Sequence, residues 1–287
     1  MVRFAAIAFL LAHGVAWAQG EHPWVGVAFK AEAESYFTNI KSGDIVESPV
    51  VLKFGMRNYG IAPAGHKVNI RGTGHHHLLI DTPLPSSITN PIPFSDKYMH
   101  FGRGQMEAIL NLPPGHHTVR LLMADYEHVP YFVFSPEISF TVSRYNPAAL
   151  PADYGKQARL ELLNLANGAN LYSPFLLQFH ASALNVSHAD TKMPNTGYFQ
   201  VRFRRLDGPR DTPVDIPFPD GRTESWFNLP VGTYRVQLQF VRNPDRVVED
   251  VTSDPVTINV NSRATRSPST SAPVGDAAKQ SAVAGQF

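Results

Sequence analysis

The chain has 287 residues with 25 basic and 24 acidic side chains, so its formal net charge is only +1. This balance excludes the strongly basic face that nucleic-acid binding requires. The absence of cysteine excludes disulfides, thiolate metal sites and thiol catalysis, so the buried core alone must hold each domain together.

The first 18 residues have the pattern of a secretory signal peptide. Arg3 supplies the positive charge, residues 4–11 form a short apolar run, and Ala16-Trp17-Ala18 fits the small-x-small rule for cleavage. The apolar run is too short to span a bilayer, and no later stretch approaches the required length. We therefore expect a periplasmic or secreted protein that is cleaved near Ala18 and has no membrane span.

The rest of the chain carries two copies of one pattern. Five landmarks recur in the same order and at similar spacing. The matching segments are 48–54 with 173–179, 73–74 with 196–197, 92–94 with 216–218, 112–115 with 229–232, and 136–142 with 255–260. This repetition predicts two domains of the same fold, each of about 100 residues.

Each copy consists of short stretches that alternate apolar and polar residues and are broken by Gly and Pro, which predicts β-strands. In the clearest stretch Tyr234, Val236, Leu238 and Phe240 share one face, as in a half-buried strand. We therefore predict an all-β fold with two tandem antiparallel, immunoglobulin-like β-sandwich domains. Helical periodicity is weak, and residues 153–167 fit the start of a strand better than a helical turn.

The predicted organisation follows from these patterns and from the composition between them. The final segment is rich in Ser, Thr, Ala and Pro, and it cannot bury enough apolar surface to offset the entropy of ordering. The predicted parts are a signal peptide (1–18), a His-rich β-sandwich domain (27–143), a linker (144–155), a degenerate repeat of the sandwich (156–261) and a disordered tail (262–287).

Histidine is concentrated in the first copy, because eight of the twelve histidines lie between His66 and His128. The most unusual segment is 74–81, whose counterpart in the second copy is 197–204. Where the first copy has histidine, the second has Tyr, Phe, Gln or Thr. Features that both copies keep are candidates for the fold, and features that only the first keeps are candidates for chemistry.

The second copy predicts which way the side chains of this segment point. Phe199 and Val201 must face the core, because the residues between and beyond them are Gln and Arg. In the same register His76 points inward, where it is either a core imidazole or a ligand. His75 and His77 point outward on the other face of the strand.

Two residues on one strand face, as at His75 and His77, have Cα atoms about 6.5 Å apart. Two imidazoles at this spacing can reach one metal ion at about 2 Å each, although a third ligand must come from elsewhere. A solvated polar face explains the same pattern equally well.

Three further histidines are candidate ligands. His100 opens a glycine-rich segment (100–107) whose glycines allow close backbone approach or a positive φ. His128 closes a predicted strand, and His117 follows a Pro-Pro-Gly turn. His117 also corresponds to Tyr234 of the second copy, so it has the alternative role of filling an aromatic-sized space.

Three methionines, Met99, Met106 and Met123, are interleaved with these histidines. Thioether and imidazole together, without cysteine, favour copper over zinc. Methionine as ordinary core filler is the alternative explanation.

Segments 72–81, 100–107, 114–118 and 125–128 together resemble the bacterial domain-of-unknown-function 4399 family. The resemblance covers residues 48–142 in full and the second copy in degenerate form. It implies an exported β domain and no particular activity. It also implies a recurring histidine set, formed here by His75, His76, His77, His100, His117 and His128.

The patterns favour an exported binding protein whose first domain binds copper, or else zinc, through clustered histidines. The candidate ligands are His75, His77, His100, His117 and His128. The strand register places His117 on the inward face, so its inclusion depends on the family resemblance.

Two other functions fit the sequence. One is a glycan- or protein-interaction module of the cell envelope, for which Tyr126, Tyr131 and Trp226 are candidate contact residues. The other is a metal-dependent hydrolase, which would need an open coordination position. No serine, cysteine or carboxylate pair stands in a catalytic context, so the sequence indicates no catalytic residue.

Overall fold

The structure is a computed structural model that describes residues 21–26, 32–66, 70–209 and 212–262. The regular secondary structure of these residues consists of strands, with one short 3-10 turn at Ala189–Thr191. The strands of the first half are β1 (Glu34–Phe37), β2 (Ile45–Ser48), β3 (Val50–Arg57), β4 (Gly60–Ile61), β5 (Thr73–Ile80), β6 (Tyr98–His100), β7 (Glu107–Leu110), β8 (Gly115–Ala124), β9 (Pro130–Phe134) and β10 (Ile138–Tyr145). The strands of the second half are β11 (Arg159–Leu162), β12 (Ala169–Tyr172), β13 (Phe175–Ser182), β14 (Gly197–Arg205), β15 (Val214–Pro217), β16 (Glu224–Phe227), β17 (Gly232–Arg242), β18 (Val248–Thr252) and β19 (Val256–Asn261).

The first half is a two-layer sandwich. One sheet has the order β1-β3-β7, and the other has the order β2-β10-β8-β5-β4, with β6 paired to β5 and β9 to β8. Neighbouring strands are antiparallel except for β2 with β10 and β4 with β5. Leu52, Phe54, Leu78, Leu121 and Phe140 meet between the sheets and are buried. The core of the first domain therefore lies between these two layers.

The second half repeats this arrangement. Its sheets have the orders β11-β13-β16 and β12-β19-β17-β14-β15, with β18 paired to β17. Tyr234, Val236 and Leu238 on β17 are fully buried, as the alternation of the sequence predicts. Residues 159–162 form the first strand of this half rather than a helix. Its neighbouring strands are antiparallel except for β12 with β19. The prediction of two tandem antiparallel β-sandwich domains is confirmed, apart from these few parallel pairs.

One landmark of the predicted repeat is wrong. Segment 216–218 pairs with β14, and segment 99–101 pairs with the equivalent strand β5 in the same register. The counterpart of 216–218 is therefore 99–101 and not 92–94. Residues 92–94 lie instead in the loop over 81–97, which has only the shorter segment 206–213 as its counterpart. A hydrophobic residue before Pro is a short motif that recurs in unrelated turns, so it misaligned the two copies.

The two domains contact each other through matching backbone pairs. The N–H of Ile61 donates to the carbonyl of Gly221 at 2.9 Å, and the N–H of Val186 donates to that of Gly104 at 2.8 Å. Gly104 has a φ of +92°, and a Cβ at either glycine would strike the backbone of the other domain. The prediction that the glycine-rich segment allows a close backbone approach is thus confirmed at Gly104. Gly221 keeps the same role in the second copy, which the sequence comparison missed.

The predicted signal peptide (1–18) and the tail beyond residue 262 lie outside the described residues. In the ranges that the structure describes, no helix has the length and apolar character needed to cross a bilayer.

Candidate metal centre

Strand β5 presents two different faces to its surroundings. His76 points into the core between the sheets, where its Nδ1 lies 3.0 Å from Ser35 Oγ. Its ring centroid lies 5.2 Å from that of Phe54. At the equivalent place of β14, Phe199 packs against Phe179 in the same way. His76 is therefore the core imidazole that the strand register predicts.

His75 and His77 lie on the opposite face of β5, and this face is covered. The 81–97 loop places Ile92 against Leu79 and Leu122 on the outer side of the sheet. Both imidazoles are 0% exposed. The alternative of a solvated polar face is wrong, because neither ring is accessible to water.

Four imidazoles meet beneath this loop. His75 Nε2 lies 3.0 Å from His128 Nδ1, and His77 Nε2 lies 3.0 Å from His100 Nδ1. His128 Nδ1 also lies 3.4 Å from His77 Nε2 and 3.2 Å from His100 Nδ1. Ligand atoms of His75, His77 and His128 all lie within 4.8 Å of one another. Two nitrogens on one tetrahedral ion, at about 2.0–2.1 Å each, are about 3.3–3.4 Å apart. The four nitrogen contacts of 3.0–3.4 Å are close to this separation.

Three separate elements bring these rings together. β5 supplies His75 and His77, and the pairing of β6 with β5 places His100 opposite His77. His128 lies in the turn between β8 and β9 with a φ of +66°, and its backbone N–H donates to the carbonyl of Asp125. Residues far apart in sequence thus share one side of the sheet.

The ring nitrogens form a triangle that hydrogen bonds alone cannot satisfy. An N–H···N bond needs one protonated and one unprotonated nitrogen, and three nitrogens have only two such states. In the triangle of His77 Nε2, His100 Nδ1 and His128 Nδ1, at least two nitrogens must therefore have the same protonation state. Those two cannot form a hydrogen bond with each other. His100 Nε2 lies 3.1 Å from the carbonyl of Pro93, which fixes the proton there and leaves a lone pair on Nδ1. A cation bound by these lone pairs would remove the mismatch between the facing nitrogens.

Burial lowers the pKa of all four rings, which favours their uncharged form at neutral pH. It lowers the pKa of His75 to about 3, with a smaller effect from neighbouring imidazoles. Burial also lowers the pKa of His77 well below 6.5. The pKa of His100 is lowered by burial despite its bond to the Pro93 carbonyl, and that of His128 is lowered by burial despite nearby Asp125. Neutral imidazole is the form that binds metal ions.

His117, a predicted ligand, does not join this group. Its Nδ1 lies 2.8 Å from Asp81 Oδ2, and its Nε2 lies 2.9 Å from the carbonyl of Pro113. The hydroxyl of Tyr234 donates to the carbonyl of Pro230 at the same place of the second domain. His117 therefore fills the aromatic-sized space of its counterpart, and this correction agrees with its inward register.

The methionines also lie elsewhere in the fold. Met106 and Met123 are fully buried in an apolar cluster shared with the second domain, and Met99 packs against the core of the first. The core-filler explanation accounts for these positions, so the argument for copper from thioether ligands has no support in their placement.

Two contributors to the site were missed by the sequence reasoning. The ring of Phe94 stacks on His100 at 3.7 Å between centroids and 13° between planes, and Pro93 orients the same imidazole. Both lie in the 81–97 loop, within the segment 92–94 that the sequence pattern matches to 216–218 of the second copy. The extra length of this loop in the first copy, together with its apolar residues, was the available signal.

The second domain has lost the constellation. The strand registers and turn contacts place Tyr198, Gln200, Pro217 and Arg246 at the positions equivalent to the four clustered histidines. None of these side chains is a usual ligand for a transition metal. Among the described residues, the histidine cluster is thus confined to the first domain.

Among solved structures, three of those that resemble this chain are far from it in sequence. The fibronectin(III)-like modules of Clostridium thermocellum CbhA are 10% identical over 79% of this chain and 92% of their own, with a TM-score of 0.22. The chicken interferon gamma receptor alpha chain is 12% identical over 78% of this chain and 97% of its own, with a TM-score of 0.25. The Bacteroides ovatus protein SGBP-B, solved with a mixed-linkage heptasaccharide, is 12% identical over 79% of this chain and 47% of its own, with a TM-score of 0.19.

No curated protein matches the chain. A family model does match, and it matches twice, over residues 52–143 and 177–261. These two ranges coincide with the repeated strands of the two sandwiches and together cover more than half of the sequence. The chain therefore belongs to the family described as Domain of unknown function (DUF4399), of which it carries two repeats.

Proposed function

We propose that this protein is an exported metal-binding protein whose first domain holds one transition-metal ion. The main observation in support of this proposal is the convergence of ring nitrogens from His75, His77, His100 and His128, with contacts of 3.0–3.4 Å. Uncharged, buried imidazoles with lone pairs that face one another are suited to a cation and poorly suited to one another. Export is inferred from the N-terminal sequence pattern.

The arrangement favours binding over catalysis. A catalytic zinc site keeps one position for water beside three protein ligands. His75, His77 and His128 would supply three ligands, and His100 Nδ1 lies 3.0 Å from His77 Nε2, where it would occupy the fourth position. Closed, all-protein ligand sets are typical of sites that hold a metal rather than activate water.

We propose copper as the preferred ion and zinc as its competitor. Imidazole nitrogen suits both metals, and for a given nitrogen site the affinity of divalent ions is highest for copper. This choice depends on the general order of affinities, because Met99, Met106 and Met123 pack in apolar clusters instead of joining the histidines.

Metal stoichiometry and affinity test the proposal. The purified chain, stripped with a chelator and dialysed, is titrated with Cu²⁺ and with Zn²⁺, and bound metal is measured by elemental analysis. We expect one equivalent to bind. The variant His75→Ala/His77→Ala should lose this binding, since removal of two ligands exceeds the about 10–100-fold cost of losing an outer-shell partner.

Two further variants guard against misfolding as the cause. His128→Asn changes a half-buried ligand, so its fold is easier to preserve, and it should also weaken binding. His116→Ala changes an exposed histidine on β8 and should bind like the unaltered chain. If the unaltered chain takes up neither metal, the proposal is wrong and the interaction-module interpretation is favoured instead.

A further inference from the structure

The histidine cluster has a buried side and a side near solvent. His75 and His77 are 0% exposed and lie on β5 in the interior of the larger sheet. His100 and His128 are only half-buried. An ion bound at the cluster would therefore reach solvent most directly past His100 and His128.

Phe94 covers this side. Its ring lies nearly parallel to that of His100, with 3.7 Å between centroids, and meets His128 edge-on at 5.2 Å. Yet Phe94 is 74% exposed, so little apolar surface holds it in place. A ring in this position shields the imidazoles from water and can move aside at low cost.

His100 is held in place less firmly than His75 and His77, because it depends on the same loop. β6 has only three residues, and the outer nitrogen of His100 bonds to the carbonyl of Pro93, directly before Phe94. Movement of residues 93–94 would remove both contacts that this imidazole makes with the loop. His75 and His77 would keep their places, because β5 pairs with strands on both sides.

We infer that Phe94 is the gating residue of the metal site. The metal enters and leaves by exchange of the His100 ligand, while His75 and His77 stay bound to it. This inference rests on the proposed function. It implies that a metal acceptor approaches the Phe94 side and replaces His100 with a ligand of its own. Phe94 would then set the rate of transfer more than the strength of binding.

Exchange kinetics test this role. The Cu²⁺-loaded chain is mixed with excess chelator, and the dissociation rate is followed by the loss of absorbance of the bound ion; the association rate is measured by stopped flow. Phe94→Ala should raise the dissociation rate by about tenfold, within the range known for outer-shell changes. The association rate should rise as well, so that Kd changes less than either rate.

Two controls make the result specific. Phe132 is equally exposed, at 75%, and lies on β9, so Phe132→Ala should leave both rates unchanged. In a chain that already carries His100→Ala, the change Phe94→Ala should have a much smaller effect on dissociation, because the exchanging ligand is gone.

The outcomes separate the two proposals. An unchanged dissociation rate in Phe94→Ala, with full binding, overturns the gating role of Phe94 and leaves the proposal of metal binding intact. A rise in dissociation that is matched fully by a rise in Kd, with association unaltered, also overturns it, since Phe94 would then only position His100. Absence of metal uptake by the unaltered chain overturns the proposed function itself.

Discussion

Imidazole serves two purposes in the first domain, and the atoms around each ring distinguish them. His117 lies between a carboxylate and a carbonyl, two acceptors that fit a protonated ring. His75 and His77 face other ring nitrogens, which fit a shared cation. The first arrangement stabilises charge on the ring, and the second excludes it.

This difference gives a pH prediction for His117. Burial opposes its charge, but the bonds to Asp81 and Pro113 and the charge of Asp81 outweigh burial and raise its pKa above 6.5. A group whose pKa is raised by folding contributes its full stabilisation when the pH is below its pKa in the unfolded state. This stabilisation is lost as the pH rises through its pKa in the folded state. The contribution of His117 to the free energy of unfolding should therefore fall as pH rises above about 6.5. The lowered pKa values of the four clustered histidines act in the opposite direction, because their contributions rise as pH approaches the same value from below.

Urea unfolding of the unaltered chain and of Asp81→Asn measures this effect. Asn tolerates the positive φ of 49° at this position, so the turn is kept while the charge is removed. The stability of the unaltered chain relative to the variant should fall as pH rises above about 6.5, because the other histidines contribute equally to both. Parallel pH profiles would contradict the role given to His117.

At the scale of elements, the 81–97 loop converts an ordinary sheet face into a buried one. Ile92 is 1% exposed and packs on Leu79, Leu122 and Ala124. Its backbone N–H also donates to the carbonyl of His128 at 2.9 Å. One residue thus anchors the loop to the sheet and to the turn that carries a candidate ligand.

Removing this anchor should be costly. We expect Ile92→Ala to lower the free energy of unfolding by about 2–5 kcal/mol, since it removes a buried apolar side chain and leaves a cavity. Urea denaturation measures the loss, and limited proteolysis should cleave the loop faster. Ile88→Ala, in the same loop but at a side chain 47% exposed, should stay within about 0.5 kcal/mol of the unaltered chain.

At the scale of the whole molecule, the two repeats meet through equivalent surfaces. Glu107 accepts hydrogen bonds from His180 and Ser182 of the second domain. Its counterpart Glu224 accepts one from Tyr36 of the first domain, at 2.5 Å. These exchanged contacts, with the matched backbone pairs, resemble the two-fold symmetry of a homodimer interface. We infer that the contact between the domains is specific and not incidental.

Backbone closeness at this interface leads to a further stability prediction. Gly60 lies so near Asp220 of the second domain that an added Cβ would overlap its carbonyl oxygen. Gly60→Ala should therefore destabilise the chain by about 1–3 kcal/mol, as overpacking does elsewhere. Gly208→Ala, whose Cβ would meet only the movable side chain of Arg205, is the matched control in thermal or urea denaturation. Equal stability of the two variants would show that the domain contact is loose.

The sequence alone determined the repeat, the fold class and the faces of β5. Alternation at period two separates inward from outward residues on any strand, and the second copy identified the core face through Phe199 and Val201. His75 and His77 could be paired from their spacing for the same reason. These are local properties, and local geometry is encoded residue by residue.

Only the tertiary structure decided which other histidines join them. His100 and His128 reach the pair through strand pairing and through a turn, whereas His117, predicted on resemblance, faces the core. Whether the outer face of β5 is wet or buried depends on where the 81–97 loop folds back. Such contacts join residues distant along the chain and depend on packing, which periodicity does not record.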